Sequence, residues 1–147
     1  MPGKWLIVLI ICMSSMAATS QAIQLPAAVD SAFASKYAKA EMVVWKTKYS
    51  GYEVEFTISK NMMKSGFTAK GEWLKTETKI LLTQLPVAVT DSFKLSRFGK
   101  IAVKDVIKTE QNHKPLQYTI VTMKGALNKT SLIFSEEGHL ISEKNFL

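Results

Sequence analysis

The segment Leu25-Pro26-Ala27-Ala28-Val29 returns 60 residues later as Leu85-Pro86-Val87-Ala88-Val89, and a phenylalanine follows each copy at the same distance, Phe33 and Phe93. Further stretches echo each other in the same order: Ala40 to Lys46 with Ala102 to Lys108, and Phe67 to Leu74 with Phe134 to Ile141. Self-similarity at a fixed period constrains a chain more than composition does, because like sequences adopt like supersecondary units. The expectation is two tandem units, residues 23–82 and 83–147, with a few residues inserted in the second.

Each copy opens as a helix. Proline suits the first helical turn, and Val29, Phe33 and Tyr37 recur every four residues on one face, as do Val89 and Phe93. The apolar period then changes to two. Ser50-Gly51 reads as a hairpin turn, which would set Lys48 opposite Glu53, Lys46 opposite Glu55 and Trp45 opposite Phe56. Aromatic and aliphatic residues then share one face and Lys–Glu pairs the other, a separation that a slip of one residue destroys. Strands follow at about residues 62–69 and 73–80, with Gly71 at the turn between them. In the second copy strands are expected near 103–110, 116–124, 129–136 and 139–146, with a longer first loop containing Pro115 and a turn at Gly138. The fold class is therefore α+β: two units, each an N-terminal helix covering one face of its own four-stranded antiparallel sheet.

Residues 1–22 read as a secretory signal. Lys4 supplies the positive start, Trp5 to Met13 the apolar stretch, and Ser20-Gln21-Ala22 a small-residue cleavage site. The apolar run is shorter than the roughly 20 residues that span a bilayer. The mature chain is therefore expected in the periplasm or outside the cell, without a membrane span. Removing 22 of 147 residues leaves 125, carrying 18 basic and 12 acidic side chains. Cys12, the only cysteine, falls in the signal, which excludes a disulfide scaffold, a thiolate metal site and a cysteine nucleophile.

Catalytic chemistry finds few candidates. His113 and His139 belong to turns, Asp30 and Asp91 to exposed helix positions, and no His-x-x-x-His pattern, acidic loop or phosphate-cradling glycine run occurs. Glu53 and Glu55 share a strand face with lysines opposite, which lowers carboxylate pKa values and disfavours a general acid. These residues call for no metal and no cofactor. The lysines are scattered, with a single arginine, Arg97, and the export signal argues against nucleic acid as a partner.

Three features together carry a family resemblance: the Leu-Pro openings, the Tyr-x-Val-x-Phe strand at Tyr52 to Phe56, and the Phe-x-x-x-Gly-x-Trp-Leu hairpin from Phe67 to Leu74. The chain resembles the PepSY-like family of exported bacterial proteins, which is also similar to the beta-lactamase inhibitor protein. That resemblance implies two modules side by side, with a broad sheet surface opposite the helices. It implies a noncatalytic binding protein, an inhibitor or modulator of another envelope protein, rather than an enzyme. The binding candidates are Lys46, Lys48, Glu53, Glu55 and Thr57, which strand alternation points away from the helix; exposed Met42, Val44, Val121 or Met123 beside them would strengthen a binding face if the two sheets joined into one concave surface. Two other readings stay open. One is a cationic binder of anionic envelope polymer or lipid, which releases its ligand as salt rises. The other is a hydrolase, which requires a deep pocket around a perturbed titratable group.

Overall fold

The structure, a computed structural model, describes residues 23–146, so the expected signal segment lies outside the described residues. A helix α1 (Ala27–Lys36) precedes four strands, β1 (Glu41–Lys48), β2 (Gly51–Ile58), β3 (Asn61–Phe67) and β4 (Trp73–Lys79). A short 3-10 turn (Leu82–Gln84) leads into α2 (Val87–Leu95) and four more strands, β5 (Val103–Gln111), β6 (Lys114–Lys124), β7 (Asn128–Ser135) and β8 (Leu140–Phe146). Pro26 and Pro86 occupy the helix N-caps with φ of −58° and −54°, so the ring presets the backbone where no intrahelical N–H is needed.

The strands form one sheet in the order β1 to β8, and this corrects the expectation of two separate four-stranded sheets. The joint is β4 against β5, antiparallel, from Lys75 opposite Gln111 to Lys79 opposite Ile107. Two meanders lying side by side would each leave an inner edge of unpaired N–H and C=O groups, and pairing those edges satisfies both. Nothing in the alternation of either strand signals this, because a polar strand reads alike whether its edge is free or paired.

Both helices cover the same face. Val29 and Phe33 of α1, with Tyr37, pack on Val54, Phe56 and Phe67. Val89 and Phe93 of α2, with Leu85, pack on Val106, Tyr118, Ile120, Leu132 and Phe134. The first core is aromatic: the Phe33 ring lies 5.2 Å from Trp45 and 5.2 Å from Phe56, both edge-on. The two halves repeat one contact in detail. Gly71 and Gly138, at φ +83° and +86°, each lie under a first-turn helix carbonyl, that of Ala28 or Ala88, where an added Cβ would approach to 2.4 Å.

A second link differs between halves. Tyr37 reaches a buried hydroxyl pair, Ser65 and Thr76, and the Trp73 indole N–H donates to Thr76 Oγ1 at 2.8 Å. The corresponding places in the second half hold Arg97, Leu132 and Glu143, and there an exposed Arg97–Glu143 ion pair ties the segment after the helix to the last strand. One half closes with buried hydroxyls, the other with surface charge.

The β1–β2 register also differs from expectation. The turn is Tyr49-Ser50 rather than Ser50-Gly51, so Lys46 faces Glu53, Trp45 faces Val54 and Lys48 faces Gly51. This is a shift of two residues, which keeps every side chain on its face and hence leaves no trace in the hydrophobic pattern. Gly51 is needed inside the strand, where a Cβ would meet the Phe67 carbonyl oxygen at 2.1 Å. Pro115 lies within β6 and not in a loop. β7 pairs with β6 only from Gln117 onward, so the missing proline N–H withdraws no bond from that neighbour.

The β2–β3 turn is Ser59-Lys60, with φ of +51° and +68° at the two residues. A two-residue turn with both φ positive favours Asn-Gly. Ser59→Asn combined with Lys60→Gly is expected to stabilise the protein by about 1 kcal/mol, seen as a higher urea midpoint with unchanged slope.

Candidate functional site

Period-two alternation, carried across the paired strands, defines the face opposite the helices. In the first half it presents Val44, Lys46 and Lys48 from β1, Glu53, Glu55 and Thr57 from β2, and Met62 and Lys64 from β3. Lys75, Glu77 and Lys79 from β4 continue it to Ile107, Thr109 and Gln111 of β5. Among the described residues no helix covers this side.

The charges form a ladder. Lys46 donates to Glu55 at 2.8 Å, Lys48 lies 3.4 Å from Glu53, and Lys64 stands between the two glutamates at 3.4 Å from Glu55 and 4.0 Å from Glu53. Lys75 pairs with Glu77, and Lys79 with Asp105 at 2.8 Å. The expected Lys46–Glu55 and Lys48–Glu53 pairs thus exist, but as diagonals across the shifted register. Thr57 donates its hydroxyl to the Glu41 carbonyl at 3.3 Å, at the point where a bulge at Met42, φ +53°, re-aims the start of β1.

The Lys46 hydrogen bond, helped by its charge and by Lys64, holds the Glu55 carboxyl below the ordinary range, and Glu55 in turn raises Lys46. A depressed carboxylate contributes stability above its ordinary pKa and loses it as pH falls through the folded value. A carbon-detected NMR titration is therefore expected to place Glu55 below an ordinary glutamate, and Lys46→Met to move its midpoint upward. Glu137 is also lowered, by the Ser135 hydroxyl and its own backbone N–H.

Beside the ladder lies a hollow of about 330 Å³ lined by Met42, Val44, Met62 and Ile107, with Glu55, Lys64, Glu77 and Lys79 among its polar lining. Met42 is 80% exposed and Met62 59%. Joining the sheets builds this site, since Ile107 belongs to β5 and every other side chain named here to β1 through β4.

The family described as "Putative beta-lactamase-inhibitor-like, PepSY-like" matches residues 3–63 and 50–142. The chain belongs to this family. Two solved structures show the same fold as this PepSY-like protein. One is described as a "BLIP-like protein" from Bacteroides fragilis NCTC 9343, with 28% identity, a TM-score of 0.76, and 85% of this chain and 89% of that one covered. The other, among "putative periplasmic proteins" from Bacteroides eggerthii DSM 20697, has 22% identity, a TM-score of 0.79, and coverage of 84% and 90%. No curated protein matches the chain.

Lys46, Lys48, Glu53, Glu55 and Thr57 come together on the open face of the PepSY-like sheet. Val121 and Met123 do not join them as exposed apolar surface. Val121 is on the open side but only 4% exposed, because β6 is an inner strand and Asp105 and Ser131 flank it; Met123 is half-buried. Sequence reasoning missed Met62, Lys64 and Ile107. Alternation along β3 carried the signal for the first two, since Ser65 and Phe67 face the core. Asp30, Asp91, His113 and His139 are exposed and lie apart from the ladder.

Among the described residues no group of three or more His, Cys, Asp or Glu side chains is arranged to hold a metal ion, and no helix is long and apolar enough to cross a membrane.

Proposed function

We propose that the protein is a noncatalytic binding protein, exported to the periplasm or secreted after cleavage near Ala22, which modulates another envelope protein through the open face of its sheet. Its two halves, residues 23–82 and 83–147, are read as tandem copies of one ancestral unit. The observation that carries the binding role is the apolar hollow under Met42, Val44, Met62 and Ile107, set directly beside a ladder of paired charges on a face that neither helix covers. An apolar centre with a charged surround is the anatomy of a protein–protein contact. The described kinships point the same way, one structural neighbour being BLIP-like and another belonging to "putative periplasmic proteins".

The contact residues in this reading are Lys46, Lys48, Glu53, Glu55 and Thr57, with Met62 as the apolar anchor. The test is affinity capture from the envelope fraction of the source organism, comparing the wild-type protein with Lys46→Glu/Lys48→Glu and Met62→Asp variants. Loss of one specific partner from both variants, with unchanged circular dichroism, supports the assignment. Equal recovery by all three proteins rejects this face.

A further inference from the structure

The antiparallel meander sends the starts of the odd strands and the finishes of the even strands to one end of the sheet, and the charge is unevenly divided between the two ends. This end carries Lys60 at the β2–β3 turn, Arg97 and Lys100 between α2 and β5, Lys104 at the start of β5, and Lys124 and Lys129 flanking the β6–β7 turn. Backbone pairing draws the last four together: Val103 faces Thr122, the Met123 N–H donates to the Ala102 carbonyl, and Lys124 and Met123 face Asn128 and Lys129. The described carboxylates at this end are Glu41, Asp105 and Glu143, and the latter two are ion-paired with Lys79 and Arg97. The opposite end holds Glu72, Glu110, Glu136 and Glu137 beside Lys48, Lys70 and Lys114.

The basic end also presents apolar side chains to water. Leu127, at the tip of the β6–β7 turn, is 79% exposed; Phe146, under the Lys129 ammonium, is 49% exposed, and Leu95 at the end of α2 is 88% exposed. Lysines surrounding an apolar tip suit an anionic bilayer, where ammonium groups meet headgroup phosphates and the tip enters the acyl boundary.

We propose that the protein docks end-on to an anionic phospholipid surface through Lys100, Lys104, Lys124 and Lys129, with Leu127 inserted. Lys100, Lys104, Lys124 and Lys129 belong to the second half, and none of them lines the hollow or joins the Lys46–Glu55 ladder, so either assignment can fail without the other.

The test is co-sedimentation of the mature chain with phosphatidylglycerol/phosphatidylcholine vesicles, with pure phosphatidylcholine vesicles as the comparison. Binding is expected only to the anionic vesicles and is expected to fall steeply as salt rises. Lys100→Gln/Lys124→Gln should weaken it about 25-fold, at roughly fivefold per lysine. Leu127→Ser should weaken vesicle binding about tenfold while leaving retention on a heparin column unchanged. Lys70→Gln/Lys114→Gln, at the other end, should bind as wild type. Absence of binding to anionic vesicles, equal binding to neutral ones, or wild-type binding by the Lys100/Lys124 variant overturns the proposal. Wild-type vesicle binding by Leu127→Ser also overturns it, in favour of a soluble polyanion as the ligand.

Discussion

Gly71→Ala and Gly138→Ala are each expected to destabilise the protein by about 3 kcal/mol, close to 10 °C in melting temperature. Two costs add at each position. The residue holds φ near +85°, which an L side chain adopts at a cost of about 1 to 2 kcal/mol, and its Cβ would meet a helix carbonyl oxygen at 2.4 Å. That carbonyl cannot yield easily, because Ala28 and Ala88 belong to the first helical turns, and displacing them moves Val29 or Val89, both fully buried, out of their cores. Gly125 supplies the control. It has φ of +70° with nothing within 4 Å of an added Cβ, so Gly125→Ala incurs strain without collision and should lose about 1 kcal/mol. Urea titrations of the three variants separate the two costs, and equal losses at all three positions would mean that the turn–helix contact constrains nothing.

The same contact explains why much of the fold was legible. A glycine with an apolar pair two residues on, five residues into a hairpin and repeated behind each helix, is a local requirement of backbone geometry, and such requirements survive in the sequence. The helix stripes at Val29, Phe33, Val89 and Phe93 survive for the same reason, since each must face its own sheet. What stayed hidden was non-local or degenerate. The β4–β5 joint consists of main-chain bonds beneath side chains such as Lys75, Glu77 and Thr109, which read as polar strand in any setting. The two-residue register shift in β1–β2 preserves every face assignment, so the hydrophobic pattern does not distinguish the two registers.

The candidate site divides along the same line. Lys46, Lys48, Glu53 and Glu55 were visible because opposite charges on facing strands stabilise each other whether their contact is direct or diagonal. Ile107 was not, because its place beside Met62 exists only once the halves share a sheet. The basic end was hidden too. Lys60, Lys100 and Lys124 are far apart in the chain, and the topology, not any run of charge, gathers them. Of the apolar alternatives, Met42 and Val44 are exposed and Val121 is not, because alternation assigns a face but not the depth of cover provided by flanking strands.

Phe93→Ala is expected to lower stability by about 3 to 5 kcal/mol, the cost of a large ring removed from a packed core where Phe93 is 4% exposed. Its consequences should reach beyond its own core. The described tryptophans, Trp45 and Trp73, both pack against the first core, with Trp45 5.2 Å from the Phe33 ring, so in a chain that begins after residue 22, without Trp5, tryptophan fluorescence reports the first half alone. If the β4–β5 pairing and the burial beside it bind the two halves into one cooperative unit, Phe93→Ala must shift the fluorescence transition and the far-ultraviolet circular dichroism transition to the same lower urea concentration. Ile80 makes this coupling physical: it directly follows β4, its N–H donates to the Val106 carbonyl, and its side chain packs against the second core. The chain leaving the first half is thus anchored in the second, and unfolding that core strips β4 of its neighbour, leaving the buried Thr76 hydroxyl network on an edge strand. A fluorescence midpoint that stayed in place while the dichroism signal split into two steps would show the halves to be independent, and the hollow shared by Met62 and Ile107 would then lack the fixed geometry that recognition of a partner requires.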